Sequence, residues 1–164
     1  MPPLNWTERR IHAHGVELHA DANPMPSDTT STKVVFSNPP VWDSDGFFNA
    51  AHPDRISIPQ GLRGRYAARL TIRWYLGQQP FTIHDRDNGF FYTEIASNAD
   101  PTGRFQDTRI SVAPVVNSTK TVLQVLWDGP LAHGHFLEVN LQYDLPRPAG
   151  ANIWFSLRWL GRQN

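Results

Sequence analysis

The segment from Arg65 to Tyr75 alternates apolar and polar residues more regularly than any other part of the chain. An alternation with a period of two places one set of side chains on each face of a β-strand. We expect the inward face to hold Tyr66, Ala68, Leu70, Ile72 and Trp74, and the outward face to hold Arg65, Ala67, Arg69, Thr71 and Arg73. The segment therefore predicts a strand with one core-facing side and one basic side.

The same alternation recurs along the chain, at Ala13–Ala20, Thr108–Pro114, Thr121–Trp127, His135–Tyr143 and Ile153–Leu160. Shorter strand-like segments lie at Thr32–Ser37, Phe81–His84 and Phe91–Ala96, and Asp87-Asn88-Gly89 predicts a tight turn. No segment of ten or more residues has the period of 3.6 that a helix requires. About nine or ten short strands predict an antiparallel all-β sandwich or barrel. The pattern alone does not choose a jelly roll over an immunoglobulin-like sandwich.

Composition sets the domain count and excludes several kinds of partner. At 164 residues the chain is the size of one domain, with residues 1–12 as an N-terminal arm and residues 13–164 as the domain. Cysteine is absent, so disulfides and thiolate metal sites are excluded. Lys and Arg number 15 and Asp and Glu also number 15, which argues against binding to nucleic acid through net charge. No apolar run could span a membrane, and no basic leader followed by an apolar core is present, so we expect no membrane partner.

An ordered set of residues between Val41 and Tyr66 resembles a known family. The acidic turn Asp43-Ser44-Asp45-Gly46 precedes Pro53, then the strand-like Arg55-Ile56-Ser57-Ile58-Pro59, then Gly64 and Tyr66. This order resembles the bacterial and phage branch of the jelly rolls typified by tumour necrosis factor (TNF) and the globular head of the complement q subcomponent. The resemblance is strongest from Gly15 to Trp74. It implies a TNF-like antiparallel jelly-roll β-sandwich that assembles as a compact homotrimer.

Asp43 and Asp45 are the carboxylates that look most like enzyme or metal residues. A calcium loop would need further oxygen ligands that are missing, and a glycosidase pair would have to face each other across a cleft. Aspartates in such a turn commonly accept backbone N–H groups. We therefore expect both to have a structural role, and we expect no catalytic residue and no cofactor.

Histidines and arginines offer two further candidate sites. His12 and His14 would share a strand face, with His19 and Asp21 nearby, which could hold a metal ion, but exposed histidines are the preferred interpretation and we expect no metal site. A single histidine repeated around a trimer axis is a third alternative. The outward row Arg65, Arg69 and Arg73 fits a phosphate backbone or a sugar acid, but a solvated or intersubunit strand face is the preferred interpretation.

Several aromatic residues fall outside the inward rows, and a shared interface would bury them. They are Trp42, Phe47, Phe48, Phe90, Tyr92 and Trp154. We expect the trimer interface to include Trp42, Phe47, Phe48, Tyr92 and Trp154.

These observations lead to a non-enzymatic hypothesis. We expect a virion structural protein: a trimeric capsid decoration or cement protein, assembled in the host cytoplasm and bound to the major capsid protein or another virion surface protein. The expected anchor is the arm, through Leu4, Trp6, Arg9 and Arg10. The alternative is the receptor- or carbohydrate-binding head of a phage fibre, using exposed aromatics and the segments Ser97–Asp107 and Asp128–His135.

Overall fold

The part of the chain that the structure describes forms ten antiparallel β-strands. The computed structural model describes residues 13–22, 32–76, 90–98, 107–114, 120–144 and 149–162. The strands are β1 Gly15–Ala22, β2 Thr32–Lys33, β3 Trp42–Asp43, β4 Ile56–Ser57, β5 Gly64–Leu76, β6 Phe90–Asn98, β7 Asp107–Pro114, β8 Lys120–Leu131, β9 Phe136–Asp144 and β10 Ala149–Gly161. In the described ranges no helix is long and apolar enough to cross a membrane.

The strands form two sheets. Sheet A has the order β3-β1-β10-β5-β8, and sheet B has the order β2-β9-β6-β7 with β4 also paired to β9. All of these pairings are antiparallel. Neighbours in each sheet are mostly distant in sequence, as the strands of a jelly roll are. The architecture confirms the prediction of an all-β jelly-roll sandwich.

The core lies between the two sheets and follows the period-two pattern. The predicted inward residues of β5, from Tyr66 to Trp74, are all buried. Leu70 of β5 and Leu18 of β1 both lie opposite Phe155 of β10, so the centre of sheet A is apolar on its inner side. Each such side chain stabilises the fold by about 2–3 kcal/mol through the apolar surface that it removes from water.

Two strands, β8 and β10, extend by several residues beyond one of the ends that their sequence pattern indicates. β8 continues to Leu131 through Gly129 and Pro130, where turn residues had suggested a loop from Asp128 to His135. β10 begins at Ala149 rather than at Ile153. The reason is pairing along the whole length of β5, which aligns Gly64 with Leu131 and Arg65 with Pro130. β8 has β5 as its one described sheet neighbour, and an edge strand accommodates a proline.

Other predicted segments are shorter or lie outside the described residues. β2 has two residues instead of the six predicted for Thr32–Ser37, although Val34 N still donates to Val139 O of β9 at 2.8 Å. The predicted strand Phe81–His84 and turn Asp87-Asn88-Gly89 lie outside the described residues. Residues 1–12 also lie outside them.

Candidate functional site

The acidic turn after β3 is held together by the carboxylate of Asp43. Its Oδ1 accepts the backbone N–H groups of Gly46 at 2.9 Å and of Phe47 at 3.0 Å, and it lies 3.3 Å from the nitrogen of Asp45. Its Oδ2 accepts the backbone N–H of Phe48 at 3.0 Å. These bonds confirm the prediction of an Asx-type turn for Asp43.

Asp45 binds side chains rather than backbone. Its Oδ2 accepts a hydrogen bond from the Ser44 hydroxyl and lies 2.8 Å from Nδ1 of His14. Burial raises the pKa of Asp45, but the hydrogen bonds from Ser44 and His14, together with the charge of His14, outweigh burial and leave that pKa below its usual value. Because Ser44 and His14 bind the same carboxylate oxygen, they are not arranged as nucleophile and base.

The histidine metal site, the less favoured alternative, is not assembled among the described residues. His12 lies outside them, and His14 pairs with Asp45 while its ring meets Trp159 edge-on at 5.2 Å between ring centroids. His19 faces outward from β1, 3.6 Å from a carboxylate oxygen of Glu17. No group of three potential metal ligands occurs in the described ranges.

The rest of the motif joins the turn region to the two sheets. Pro53 O accepts the backbone N–H of Phe36 at 2.8 Å, and Arg55 lies over the ring of Phe136 at 5.0 Å. The N–H of Leu62 lies 3.4 Å from Pro59 O. The hydroxyl of Tyr66 donates to Leu62 O, and burial, reinforced by the charge of Asp45, raises the pKa of Tyr66.

Gly64 lies where β5 meets the end of β10. A Cβ at this position would lie 2.2 Å from Gly161 O and 2.3 Å from Nε1 of Trp159. The glycine of the motif is therefore required for the two strands to approach each other.

Five aromatic residues are expected at a trimer interface, and for Phe47 the structure shows that this expectation is wrong. Phe47 is fully buried inside the single chain and meets Tyr66 edge-on at 6.2 Å between ring centroids. Phe47 comes directly after the tight turn held by Asp43. Because the turn interrupts the alternation of apolar and polar residues, that alternation does not predict the inward direction of the Phe47 side chain. Phe48 is half-buried and packs against the core.

Trp42 and Trp154 are half-buried on the outer face of sheet A, the side away from the core. The guanidinium of Arg158 lies over the ring of Trp42 at 5.6 Å, and that of Arg73 lies over the ring of Trp154 at 5.3 Å. Phe90 and Tyr92 belong to β6, and their side chains lie outside the described part of the structure.

A row of directly opposed residues crosses the outer face of sheet A. It consists of Trp42, Glu17, Ser156, Arg69 and Leu126, from β3 to β8. The adjacent row consists of Gly15, Arg158, Ala67 and Asp128. Together the two rows place apolar, hydroxyl and charged groups on one open surface.

Three apolar side chains on this face are exposed. Val122 and Leu126 on β8 are 59% and 68% exposed, and Leu160 on β10 is 56% exposed. A groove of about 620 Å³ has a lining that includes Leu126, Leu160, Arg69, Asp128, Ser156 and Arg158. The sequence analysis missed these residues, although β8 shows a usable signal: Val122 and Leu126 are apolar residues at outward positions of an alternating strand.

The three arginines predicted as one basic row have different surroundings. Arg65 binds Asp128, with Nε 2.8 Å and a terminal nitrogen 2.7 Å from Oδ1. Arg73 stacks on Trp154. Arg69 forms no ion pair with any described residue, so the basic row is not one continuous site.

The anchor residues Leu4, Trp6, Arg9 and Arg10 lie outside the described residues. The anchoring prediction therefore stays a prediction.

Comparison with known proteins shows the fold and no more. No family model and no curated protein matches the sequence. The globular domain of zebrafish complement 1qA aligns with a TM-score of 0.53 and 13% identity, over 92% of this chain and 98% of that one. Murine APRIL, in its crystal structure at pH 5.0, aligns with a TM-score of 0.49 and 12% identity, over 85% of this chain and 98% of that one. The chain therefore has the jelly-roll fold of the complement 1q globular domain.

Proposed function

We propose that the protein is a non-enzymatic head that assembles as a homotrimer through the outer face of sheet A. The observation that carries the proposal is the exposure of Val122, Leu126 and Leu160 on that face. Apolar side chains grouped on an open sheet commonly mark a protein interface. The resemblance to TNF-like heads favours three copies over two.

The non-enzymatic part rests on the acidic turn. Asp43 uses both carboxylate oxygens to bind backbone N–H groups, and Asp45 is bound by Ser44 and His14. Both carboxylates therefore have a structural explanation that requires no reaction.

We further propose that the trimer decorates a virion surface, with the major capsid protein or another virion surface protein as its partner. The support for this finer proposal is the resemblance of the motif from Asp43 to Tyr66 to the phage branch of the family. The arm, with Leu4, Trp6, Arg9 and Arg10, is the proposed anchor.

Light scattering of the purified chain tests the assembly. We expect a solution mass near three times 18.6 kDa at micromolar concentration. A mass of 18.6 kDa would refute the trimer. If the trimer forms, deletion of residues 1–12 is expected to leave it folded but unable to bind the particle, and a truncated trimer that still binds would refute the anchor.

A carbohydrate-binding head is the second candidate, because Trp42, Glu17 and Arg158 line another groove of about 330 Å³. Indole rings stack on sugars, while carboxylates and guanidiniums bind sugar hydroxyls. Glycan-array binding that is lost in Trp42→Ala and kept in Trp154→Ala would favour this candidate. The same binding in both variants would exclude the Trp42 groove.

A further inference from the structure

The groove on the outer face of sheet A contains two guanidiniums without a carboxylate partner. Arg69 and Arg158 both line it. Arg158 stacks on Trp42, and neither arginine forms an ion pair with a described residue. Two unpaired guanidiniums in one groove create a local positive field that attracts anions.

Asp128 also lines the groove, and Glu17 lies on the neighbouring strand β1, but both acidic residues have other partners. Asp128 is held by Arg65 through Nε and a terminal nitrogen. Glu17 lies two strands from Arg69, with Ser156 between them, and its carboxylate lies 3.6 Å from His19. The positive charge of Arg69 and Arg158 is therefore not neutralised by a direct contact.

The strand register places three residues with hydrogen-bond donors next to one another. Arg69 on β5 lies directly opposite Ser156 on β10, and Arg158 follows Ser156 by two residues and so shares its face. Opposed residues on antiparallel strands have Cβ atoms about 5 Å apart, within reach of one small ligand. Each guanidinium presents a planar fork of N–H donors that matches phosphate oxygens, and the serine adds a hydroxyl.

Part of the groove lining is apolar. Leu126 and Leu160 flank the guanidiniums, and both are more than half exposed. A volume of about 620 Å³ is in the range of small-molecule sites. The groove thus offers two positive charges beside apolar surface.

We propose that this groove binds the dianionic phosphate group of a small phosphomonoester. Arg69, Ser156 and Arg158 hold the phosphate oxygens, and the apolar part of the ligand packs against Leu126 and Leu160. The site goes beyond the proposed function and does not depend on it. In the proposed trimer the ligand lies between copies and supplies the negative charge that two buried guanidiniums require.

Calorimetric titration of the full chain with phenyl phosphate, inorganic phosphate and benzoate tests the site. We expect phenyl phosphate to bind most tightly, because it combines a dianion with an apolar ring. Equal affinity for benzoate would contradict a site for a dianion. No heat of binding with either phosphate at millimolar concentration would overturn the proposal.

Variants of β5 and β10 locate the binding. Arg69→Gln and Arg158→Gln are each expected to weaken phenyl phosphate binding about tenfold, the cost of one charge-assisted pair. Arg73→Gln is the matched control, because it removes the same charge from the same face of β5 outside the groove, and its affinity should stay within about twofold. Equal weakening in all three variants would show non-specific attraction and refute the site.

Two further measurements keep the outcome interpretable. If circular dichroism shows that Arg69→Gln does not fold, the affinities of Arg69→Lys and Ser156→Ala for phenyl phosphate test the site instead. Arg69→Lys keeps the positive charge but loses the planar set of guanidinium N–H donors, and Ser156→Ala removes only a hydroxyl. Wild-type affinity in both would overturn the proposal. Light scattering on the same samples tests the trimer separately: a monomer that binds phenyl phosphate through Arg69 refutes the trimer and supports the site.

Discussion

At the scale of single residues, the acidic turn shows how two neighbouring aspartates acquire different roles. Asp43 folds its carboxylate back onto the next few backbone N–H groups, whereas Asp45 connects Ser44 to His14. His14 precedes β1, so Asp45 ties the turn to the start of that strand. Asp43 therefore shapes the turn, and Asp45 attaches it to sheet A.

Replacing Asp43 tests the turn. Asp43→Ala removes the acceptor for several backbone N–H groups, and those of Phe47 and Phe48 are part-buried. We expect the free energy of unfolding to fall by about 1–3 kcal/mol, measured by urea denaturation. Asp43→Asn keeps one acceptor oxygen and should cost less. Equal stability of Asp43→Ala and the wild type would contradict the role of the carboxylate.

The lowered pKa of Asp45 makes part of the stability dependent on pH. Since the folded pKa lies below the ordinary value of 3.8, the ionised carboxylate stabilises the fold above that pH. The contribution is lost as the pH falls through the folded pKa. We expect Asp45→Asn to be less stable than the wild type at neutral pH, and the difference to shrink below about pH 4. A constant difference in melting temperature from pH 7 to pH 3 would contradict this account.

At the scale of strands, β5 and β10 organise sheet A. They pair from Leu76 opposite Ala149 to Arg65 opposite Gly161, with a register shift between Trp159 and Gly161. The close approach at this end depends on Gly64, whose missing side chain leaves room for the carbonyl of Gly161. The motif glycine is thus explained by the pairing of two strands.

Comparing two glycine substitutions separates collision from backbone strain. Gly64→Ala is expected to lower the free energy of unfolding by about 2–4 kcal/mol, because its Cβ meets a backbone oxygen that cannot move without breaking the pairing. Gly134 has φ of 87° and open space around its Cβ position, so Gly134→Ala should cost about 1 kcal/mol. Urea denaturation measures the free energy of unfolding of both variants. An equal loss in the two would contradict a collision between the added Cβ at position 64 and the backbone oxygen.

At the scale of the whole molecule, the two faces of sheet A have opposite characters. The inner face packs on sheet B, and the outer face presents Leu126 and Leu160 beside arginines. An interface on this side would cover apolar surface near β8, which is an edge strand of sheet A among the described residues.

Leu126 is the most exposed of the large apolar residues described, so it is the natural probe of the proposed trimer. We expect Leu126→Glu to reduce the mass found by light scattering to that of a monomer, because a buried unpaired carboxylate opposes association. Its melting temperature should change little in dilute solution. Val35, 53% exposed and adjacent to β2 of sheet B, supplies the control. Val35→Glu should remain a trimer, and a trimer in both variants would place the interface elsewhere.

The alternation of apolar and polar residues determined the strands and their inward faces without tertiary information. In β5 the residues from Tyr66 to Trp74 point inward as predicted, because a strand buried on one face must place every second side chain in the core. The turn chemistry of Asp43 was also readable, since its hydrogen bonds reach only to Phe48, five residues away. Local periodicity and local hydrogen bonding are properties of short segments, so the sequence carries them directly.

Only the tertiary structure determined which residues of different strands lie next to each other. The continuation of β8 to Leu131 and the meeting of Arg69, Ser156 and Arg158 both depend on register between strands far apart in the chain. Register is set by the packing of both sheets around one core, and a one-residue shift would move every side chain of a strand to its other face. The pattern of the sequence therefore determined the strands and their faces, and the packed sheets determined the surface on which the proposed functions rest.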